Sequence, residues 1–370
     1  MQVSVKKDQI EKRNSIILVG YMLLCFGAEM AATQSFHNFL KIGVIIVSFI
    51  PMLIIKKRPI VLFCFFVFLF VFILDIINEQ LSSVTLFVLS APLFASFVRN
   101  SRFNITLLII SFLIISLILL NAVLRGHAQE ILVNSANFVS VTILFNAVLL
   151  TYIVYNQSSK IILFPSLMAW LVCLFAVGRS GILCSSFLFA GILFLKFNRL
   201  FTKRIRILVV SLISVLVISS IPVIVDFYES ADNLERLRTR GFNDYSRERI
   251  LEAYMSHIDL YTFIIGYNIS KDPTIHSFGD NPHNSYIKLH SHMGVFFLVP
   301  LVLVGWSIVS FIRNRQFLYL LLLLSLLIRC YTDMILLNHY DFVIMVFAFS
   351  AIANNRINNT NMNFQLVANI

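Results

Sequence analysis

The chain has 370 residues, of which 59% are apolar and 13% are charged, and its mean hydropathy is +0.87. Soluble domains carry about 45–50% apolar and about 25% charged residues, so a single globular core cannot hide this apolar excess. The net charge of +11 would suit a nucleic-acid binder, but the basic residues follow a membrane pattern instead. Composition therefore indicates a polytopic membrane protein and excludes a disordered or collagenous chain.

Apolar runs long enough to cross a membrane, about 20 residues each, recur along the chain. The twelve candidate spans lie near residues 15–32, 39–55, 60–77, 82–98, 104–124, 131–155, 161–177, 181–198, 205–225, 291–312, 317–335 and 339–353. We therefore predict an all-α polytopic membrane protein with about 12 transmembrane helices. Its predicted segments are 1–225 with nine helices, 226–290 as one long loop, and 291–370 with three helices and a short tail.

Charge predicts the orientation of these spans. With a cytoplasmic N-terminus, 18 of the 29 Lys and Arg residues but only two of the 18 Asp and Glu residues fall in cytoplasmic segments. This distribution satisfies the positive-inside rule and places both termini in the cytoplasm. All eight histidines then lie on the outer side or at its edge, and the long loop lies on the outer side, where we expect the chemistry. The first apolar run lacks a small-residue cleavage site, which favours a membrane anchor over a cleaved signal peptide.

The cysteines lie in or beside apolar runs and have no CxxC spacing. They are Cys25, Cys64, Cys173, Cys184 and Cys330. This pattern is typical of packing residues and predicts neither a disulfide framework nor a metal site.

The outer loop contains a predicted helix in the string DYSRERILEAYMSHIDLYTF. The positions that recur there at helical spacing are Ile250, Tyr254, His257 or Ile258, and Tyr261, and Ser246 is the predicted cap. Arg247 and Arg249 would lie in the first turn, where positive charge opposes the helix dipole. Two interpretations remain open: an amphipathic helix on the membrane surface, or a helix start that holds an anion.

The loop ends in PHNSYIKLHSHMG, where Asn284–Ser285 is the predicted start of a helix that continues into the tenth span. His283, Ile287 and His290 would share one face of that helix. An imidazole at the membrane boundary is either an ordinary interfacial histidine or a base that accepts a proton from a hydroxyl. For His283 both alternatives remain open.

Two further arginines lie at predicted outer ends of spans. Arg179 lies in the tight turn AVGRSGIL, where it would either extend towards lipid headgroups or bind an anionic ligand through two donors. Arg329 and Asp333 would either pair with each other or join such a site.

Three segments in this order resemble the O-antigen ligase and polymerase superfamily of bacterial envelopes: GRSGI at 178–182, SRERIL at 246–251 followed by Gly266, and PHNSYIKLHSHMG at 282–294. The resemblance covers about residues 165–312. It implies a lipid-donor (GT-C-like) glycosyltransferase in the bacterial inner membrane, active at the periplasmic face. The implied donor is a glycan on undecaprenyl pyrophosphate, the acceptor is another glycan, and neither a metal nor another cofactor is required.

The same resemblance implies roles for individual residues. Arg179 and Arg247 match arginines that would stabilise the pyrophosphate leaving group, and His283 would act as a base or hold substrate. The weaker expected substrate-binding residues are Arg249, Asn284, His290 and Arg329.

The expected function is polymerisation of lipid-linked repeat units of O-antigen, capsule or exopolysaccharide, with O-antigen ligase as the close alternative. Membrane lipid, a chain-length regulator and a flippase are expected partners, and nucleic acid is not.

Functions from other classes make different predictions. A transporter or flippase would place ionisable residues near the middle of its spans. Here Glu29, Asp75, Arg329 and Asp333 are all expected towards outer ends. A sensor without catalysis would keep full function after replacement of Arg179, Arg247 and His283.

Overall fold

Long apolar runs become helices because backbone amides and carbonyls in hydrocarbon must bond within their own segment. The computed structural model describes residues 2–31, 34–54, 58–80, 82, 84–125, 137–176, 178–200, 245–333 and 335–353. Among these residues all regular structure is helical. The helices are α1 (Gln2–Glu29), α2 (Gln34–Ile54), α3 (Arg58–Ile77), α4 (Val84–Asn100), α5 (Ile105–Leu124), α6 (Asn137–Ser158), α7 (Phe164–Phe175), α8 (Arg179–Leu200), α9 (Tyr245–Ser256), α10 (Leu260–Ile265), α11 (Pro273–Ser277), α12 (Ser285–Met293), α13 (Leu298–Arg313), α14 (Phe317–Thr332) and α15 (Asp341–Ala353).

The described part of the chain is all-helical, as in helical membrane proteins. Within that described part, the stretches long and apolar enough to cross a membrane are Ile105–Leu124, Phe138–Ser158, Ser180–Asn198 and Ser285–Arg313. The last of them joins α12 to α13 through a 3₁₀ turn at Gly294–Phe297. A helix lies at each predicted span that the structure describes. The ninth predicted span, residues 205–225, and loop residues 226–244 lie outside the described part of the chain.

Helix α6 lies at the centre of the bundle, where it packs against α1, α5, α7, α8 and α14. Its buried polar side chains bond within the helix or to neighbouring helices. Asn146 Nδ2 donates to the Thr142 carbonyl at 2.7 Å, and the Tyr340 hydroxyl donates to Thr142 Oγ1 at 3.1 Å. Such bonds hold helices together where no water competes for them. All five cysteines are buried free thiols, as the sequence predicts.

The outward face of the bundle is apolar. On α13, Leu298, Val302, Trp306 and Val309 are exposed and recur at helical spacing. On α3 the exposed side chains include Phe63 and Phe66. An exposed apolar surface of this extent is stable against lipid and unfavourable against water.

The loop helix differs from the sequence prediction. Helix α9 begins at Tyr245, so Ser246 lies inside it rather than at the cap position. It ends at Ser256, and Tyr261 belongs to α10. The break has a local cause, because Asp259 and Thr262 form a reciprocal capping box that begins α10.

The segment 245–284 packs at one end of the bundle, which we call the loop end. Helices α3 and α14 end there, and α4, α8, α12 and α15 begin there. The candidate residues lie at this end.

Candidate functional site

The GRSGI segment forms the start of α8, with Arg179 as its first residue. The next residue, Ser180, is buried, and its hydroxyl accepts a hydrogen bond from Arg329 Nη1 at 2.6 Å. Gly181 lies against α6, where an added Cβ would collide with the side chain of Ser140. The small residues of this motif therefore allow close packing against α6 and supply an acceptor for Arg329.

Arg329 is completely buried near the end of α14. Its Nη2 donates to Asp333 Oδ2 at 3.1 Å and to Ser140 Oγ at 3.0 Å. The sequence left two roles open for Arg329 and Asp333, and the structure confirms that they pair. A buried ion pair of this kind needs further hydrogen bonds to offset desolvation, and Ser140 and Ser180 provide them.

Ser285 connects this pair to the start of α12. Its hydroxyl donates to the Asp333 carbonyl oxygen at 2.6 Å and accepts from the Ile335 amide at 2.7 Å. Ser180 and Ser285 thus connect the starts of α8 and α12 to the end of α14. Arg179 precedes the first of these serines by one residue, and His283 precedes the second by two.

Asn284 caps α12, as the sequence predicts for the start of this helix. Its Oδ1 accepts from the amides of Tyr286 at 2.8 Å and Ile287 at 3.3 Å. These two bonds give Asn284 a structural role at the start of the helix. Substrate binding by Asn284 stays a prediction.

His283 lies in the turn before α12 and not on its face, contrary to the predicted helical alignment with Ile287 and His290. Its φ of 46° is in the left-handed region, and its amide donates to Asn281 Oδ1 at 2.9 Å. Histidine is enriched there over most non-glycine residues, but the conformation still costs free energy. Because His283 precedes the cap residue and has a non-helical backbone, its side chain does not follow the helical spacing of Ile287 and His290.

Helix α9 is fixed to the site by an apolar cluster. Ile250 and Tyr254 pack against Ile275 of α11 and Ile287 of α12. Arg247 precedes Ile250 by three residues, so both lie on the same side of the helix. Arg247 is accordingly half-buried, whereas Arg249 is exposed.

His290 crosslinks three elements of the loop end. Its Nδ1 lies 2.6 Å from the Tyr254 hydroxyl, and its Nε2 lies 3.1 Å from the Phe263 carbonyl oxygen. A carbonyl only accepts, so Nε2 carries the proton and Nδ1 accepts from Tyr254. Burial raises the pKa of Tyr254, which keeps its hydroxyl protonated as a donor. Both nitrogens of His290 are therefore bound to protein groups.

Two glycines allow the loop to lie directly on α12. Gly266 has φ 88°, and a Cβ there would collide with the Ser291 carbonyl oxygen. Gly294 has φ 49°, and a Cβ there would collide with the backbone at Ile264. The glycines that follow the SRERIL and HNSY strings thus have a steric explanation.

A carboxylate in the loop is also fixed by its surroundings. Asp272 caps α11: its carboxylate accepts from the Ile275 amide at 2.8 Å and lies 2.8 Å from His257 Nε2. Burial alone would raise the pKa of Asp272, but the bonds from the Ile275 and Thr274 amides and from His257 outweigh it and lower that pKa. His257 also stacks on Tyr267, with ring centroids 4.4 Å apart.

Sequence reasoning missed the contribution of α3. Asp75 Oδ1 lies 2.7 Å from His292 Nδ1, and its other oxygen accepts from Thr85. Just beyond α3, Asn78 Nδ2 donates to the Ile265 carbonyl at 2.7 Å and Gln80 Nε2 to the Ser291 carbonyl at 2.5 Å. The available signal was Asp75 itself, because an ionisable residue in an apolar span usually has a specific partner.

An apolar cavity of about 310 Å³ lies beside the site, between α3, α4, α12, α13 and α15. Its wall includes Tyr286, Leu289 and Met293, which recur along one face of α12.

The loop end brings together the starts of three helices, two of which carry an arginine, while the third follows a histidine with a left-handed backbone. The starts of α8, α9 and α12, which carry Arg179, Arg247 and His283, are brought together through Arg329, Asp333 and the Ile250 cluster. Guanidinium groups bind phosphate oxygens, and an imidazole exchanges protons near neutral pH.

Comparisons with protein-family models, curated proteins and solved structures found no match to this chain.

Proposed function

We propose that this chain is a membrane glycosyltransferase that polymerises lipid-linked oligosaccharide repeat units. The observation that carries the proposal is the convergence of three segments, distant in sequence, that begin α8, α9 and α12. The proposed setting is the periplasmic face of a bacterial inner membrane, with about twelve spans and both termini in the cytoplasm. The positive-inside distribution of charge supports this orientation.

In the proposed reaction, a hydroxyl of the acceptor glycan attacks the anomeric carbon of a donor on undecaprenyl pyrophosphate. The new glycosidic C–O bond forms as the bond from that carbon to the pyrophosphate oxygen breaks. His283 accepts the hydroxyl proton, a contribution typically worth about 10²–10⁴-fold in rate. The leaving pyrophosphate takes the bonding electron pair.

Arg247 and Arg179 are the proposed ligands of that pyrophosphate. A fixed guanidinium stabilises the negative charge that develops on the leaving group and needs no rearrangement during the reaction. The half-buried position of Arg247, on the same side of α9 as Ile250, favours it over exposed Arg249. The buried pairing of Arg329 supports a structural role for that arginine.

The test is complementation of a strain that lacks this gene, read from the ladder of surface polysaccharide on a gel. Polymerase activity predicts that deletion leaves single repeat units and that the wild-type gene restores long chains. The variants Arg247→Ala and His283→Ala should fail to restore them at normal expression. Arg249→Ala and His276→Ala, which change exposed residues of the same segment, are the matched controls and should complement.

Two other results would each contradict one part of the proposal. Long chains that accumulate on the polyprenyl carrier after deletion would identify the O-antigen ligase activity. Full complementation by Arg247→Ala and His283→Ala would remove the catalytic assignment and favour a sensor.

A further inference from the structure

The apolar cavity has a lining unlike that of a polar substrate site. Its described lining residues are apolar apart from Tyr286 and Asp341. The Tyr286 hydroxyl already donates to the Leu327 carbonyl at 3.2 Å, and Asp341 Oδ2 accepts from the Asn338 amide at 3.2 Å. Asp341 Oδ1 has no hydrogen-bond partner among the described residues, but this single acceptor could not replace the many hydrogen bonds to water that a sugar or phosphate would lose in the cavity. The wall therefore selects hydrocarbon.

The size of the cavity fits a short segment of one hydrocarbon chain. A cavity of about 150 Å³ lined by Leu, Ile and Phe is large enough to hold benzene. The cavity here, at about 310 Å³, is about twice as large. By that measure it holds a chain segment of roughly twelve carbon atoms.

The cavity also has the right position. Tyr286 in its wall follows His283 by only three residues, so one end of the cavity lies near the start of α12. Phe63 in the opposite wall lies 14 residues before the end of α3, which places it roughly 20 Å from the loop end at 1.5 Å per residue. The cavity therefore extends from the candidate site into the apolar depth of the bundle.

A chain can reach the cavity from the side. Phe63 lines it and is 58% exposed on the outward face of α3. Leu301 and Leu303 line it from α13, while Val302 between them is 69% exposed on the apolar outer surface. The cavity wall therefore reaches the apolar outer surface of the bundle, which we expect lipid to cover.

We propose that this cavity binds the hydrocarbon chain of the lipid-linked donor while the polar head lies at His283. The inference rests on the proposed function and extends it to α3 and α4, which lie outside the segment that carries the family resemblance. It makes the N-terminal half of the chain part of the donor site.

The test uses two neighbouring tryptophan substitutions on α13. Leu303→Trp fills the cavity, and Val302→Trp adds the same side chain to the lipid-facing surface. Each protein is placed in nanodiscs, and binding of undecaprenyl pyrophosphate alone is measured by native mass spectrometry. We expect at least tenfold weaker binding by Leu303→Trp and unchanged binding by Val302→Trp. Ala91→Phe, which fills the cavity from α4, should show the same loss. It is a second, independent test if Leu303→Trp does not fold.

Equal binding by wild type and both cavity-filling variants would overturn the inference, as would a bilayer phospholipid retained in place of the polyprenyl chain. Because this assay needs no turnover, it separates the two proposals. Cavity-dependent binding without glycosyl transfer would support the chain site and contradict the proposed reaction. Glycosyl transfer with binding that does not depend on the cavity would support the proposed reaction and contradict the chain site.

Discussion

The hydrogen bond between Tyr254 and His290 joins α9 to α12 inside an aromatic cluster. Both side chains are buried, so water cannot take the place of either partner if one is removed. Loss of one partner therefore leaves the other unsatisfied, which costs more than the bond contributes net.

Tyr254→Phe should lower the free energy of unfolding by about 1–3 kcal/mol, because His290 Nδ1 loses its donor. Thermal unfolding of the purified protein in detergent measures this change. Tyr261→Phe, at an exposed tyrosine of the same loop, is the control and should have little effect. Equal stability of the two variants would contradict the hydrogen bond between Tyr254 and His290.

Gly294→Ala should be strongly destabilising, because the new Cβ meets the backbone of Ile264 in addition to the strain of a positive φ. We expect a loss of about 2–5 kcal/mol from strain and overpacking together. Gly279→Ala isolates the strain alone, since Gly279 has φ 71° and open space around it. A matching loss in both variants would show that the close approach of the loop to α12 is wrong.

At the scale of elements, α14 is joined to α6 and α8 through one buried guanidinium. Arg329 contacts Ser140 and Ser180 on those helices and pairs with Asp333. The ion pair was predictable because its partners are four residues apart at the end of a predicted helical span. Its serine partners were not, because they are 189 and 149 residues away in sequence.

Arg329→Met should destabilise the protein by about 3–5 kcal/mol, because it leaves the Asp333 carboxylate buried without its cation. The double variant Arg329→Met with Asp333→Leu should recover part of that loss. Arg313→Met, at an exposed arginine of α13, should be near neutral. A double variant less stable than Arg329→Met would contradict the view that the uncompensated charge is what costs stability.

Distance along the sequence also explains why the contacts of α3 were not predicted. Its apolar run is readable from composition alone, so the helix was predicted. The contact between Asp75 and His292 joins positions 217 residues apart, and no local pattern reports it. The left-handed turn at His283 and the capping box at Asp259 depend on local bonds that helical spacing alone does not encode.

At the scale of the whole molecule, the charge distribution predicts that the loop end faces outward from the cytoplasm. The buried free thiols of the native cysteines make cysteine labelling feasible. His276→Cys in the loop should react with a membrane-impermeant maleimide in intact spheroplasts, whereas Arg313→Cys should react only after permeabilisation. The opposite pattern would invert the proposed topology.

The most direct test of the proposed function is turnover by the purified protein in liposomes that contain a lipid-linked repeat unit. The readout is release of undecaprenyl pyrophosphate together with chain extension. We predict activity for the wild type and for His276→Ala, and a loss of at least 100-fold for His283→Ala, in line with the removal of a positioned base. Wild-type activity in His283→Ala would contradict the account of the site.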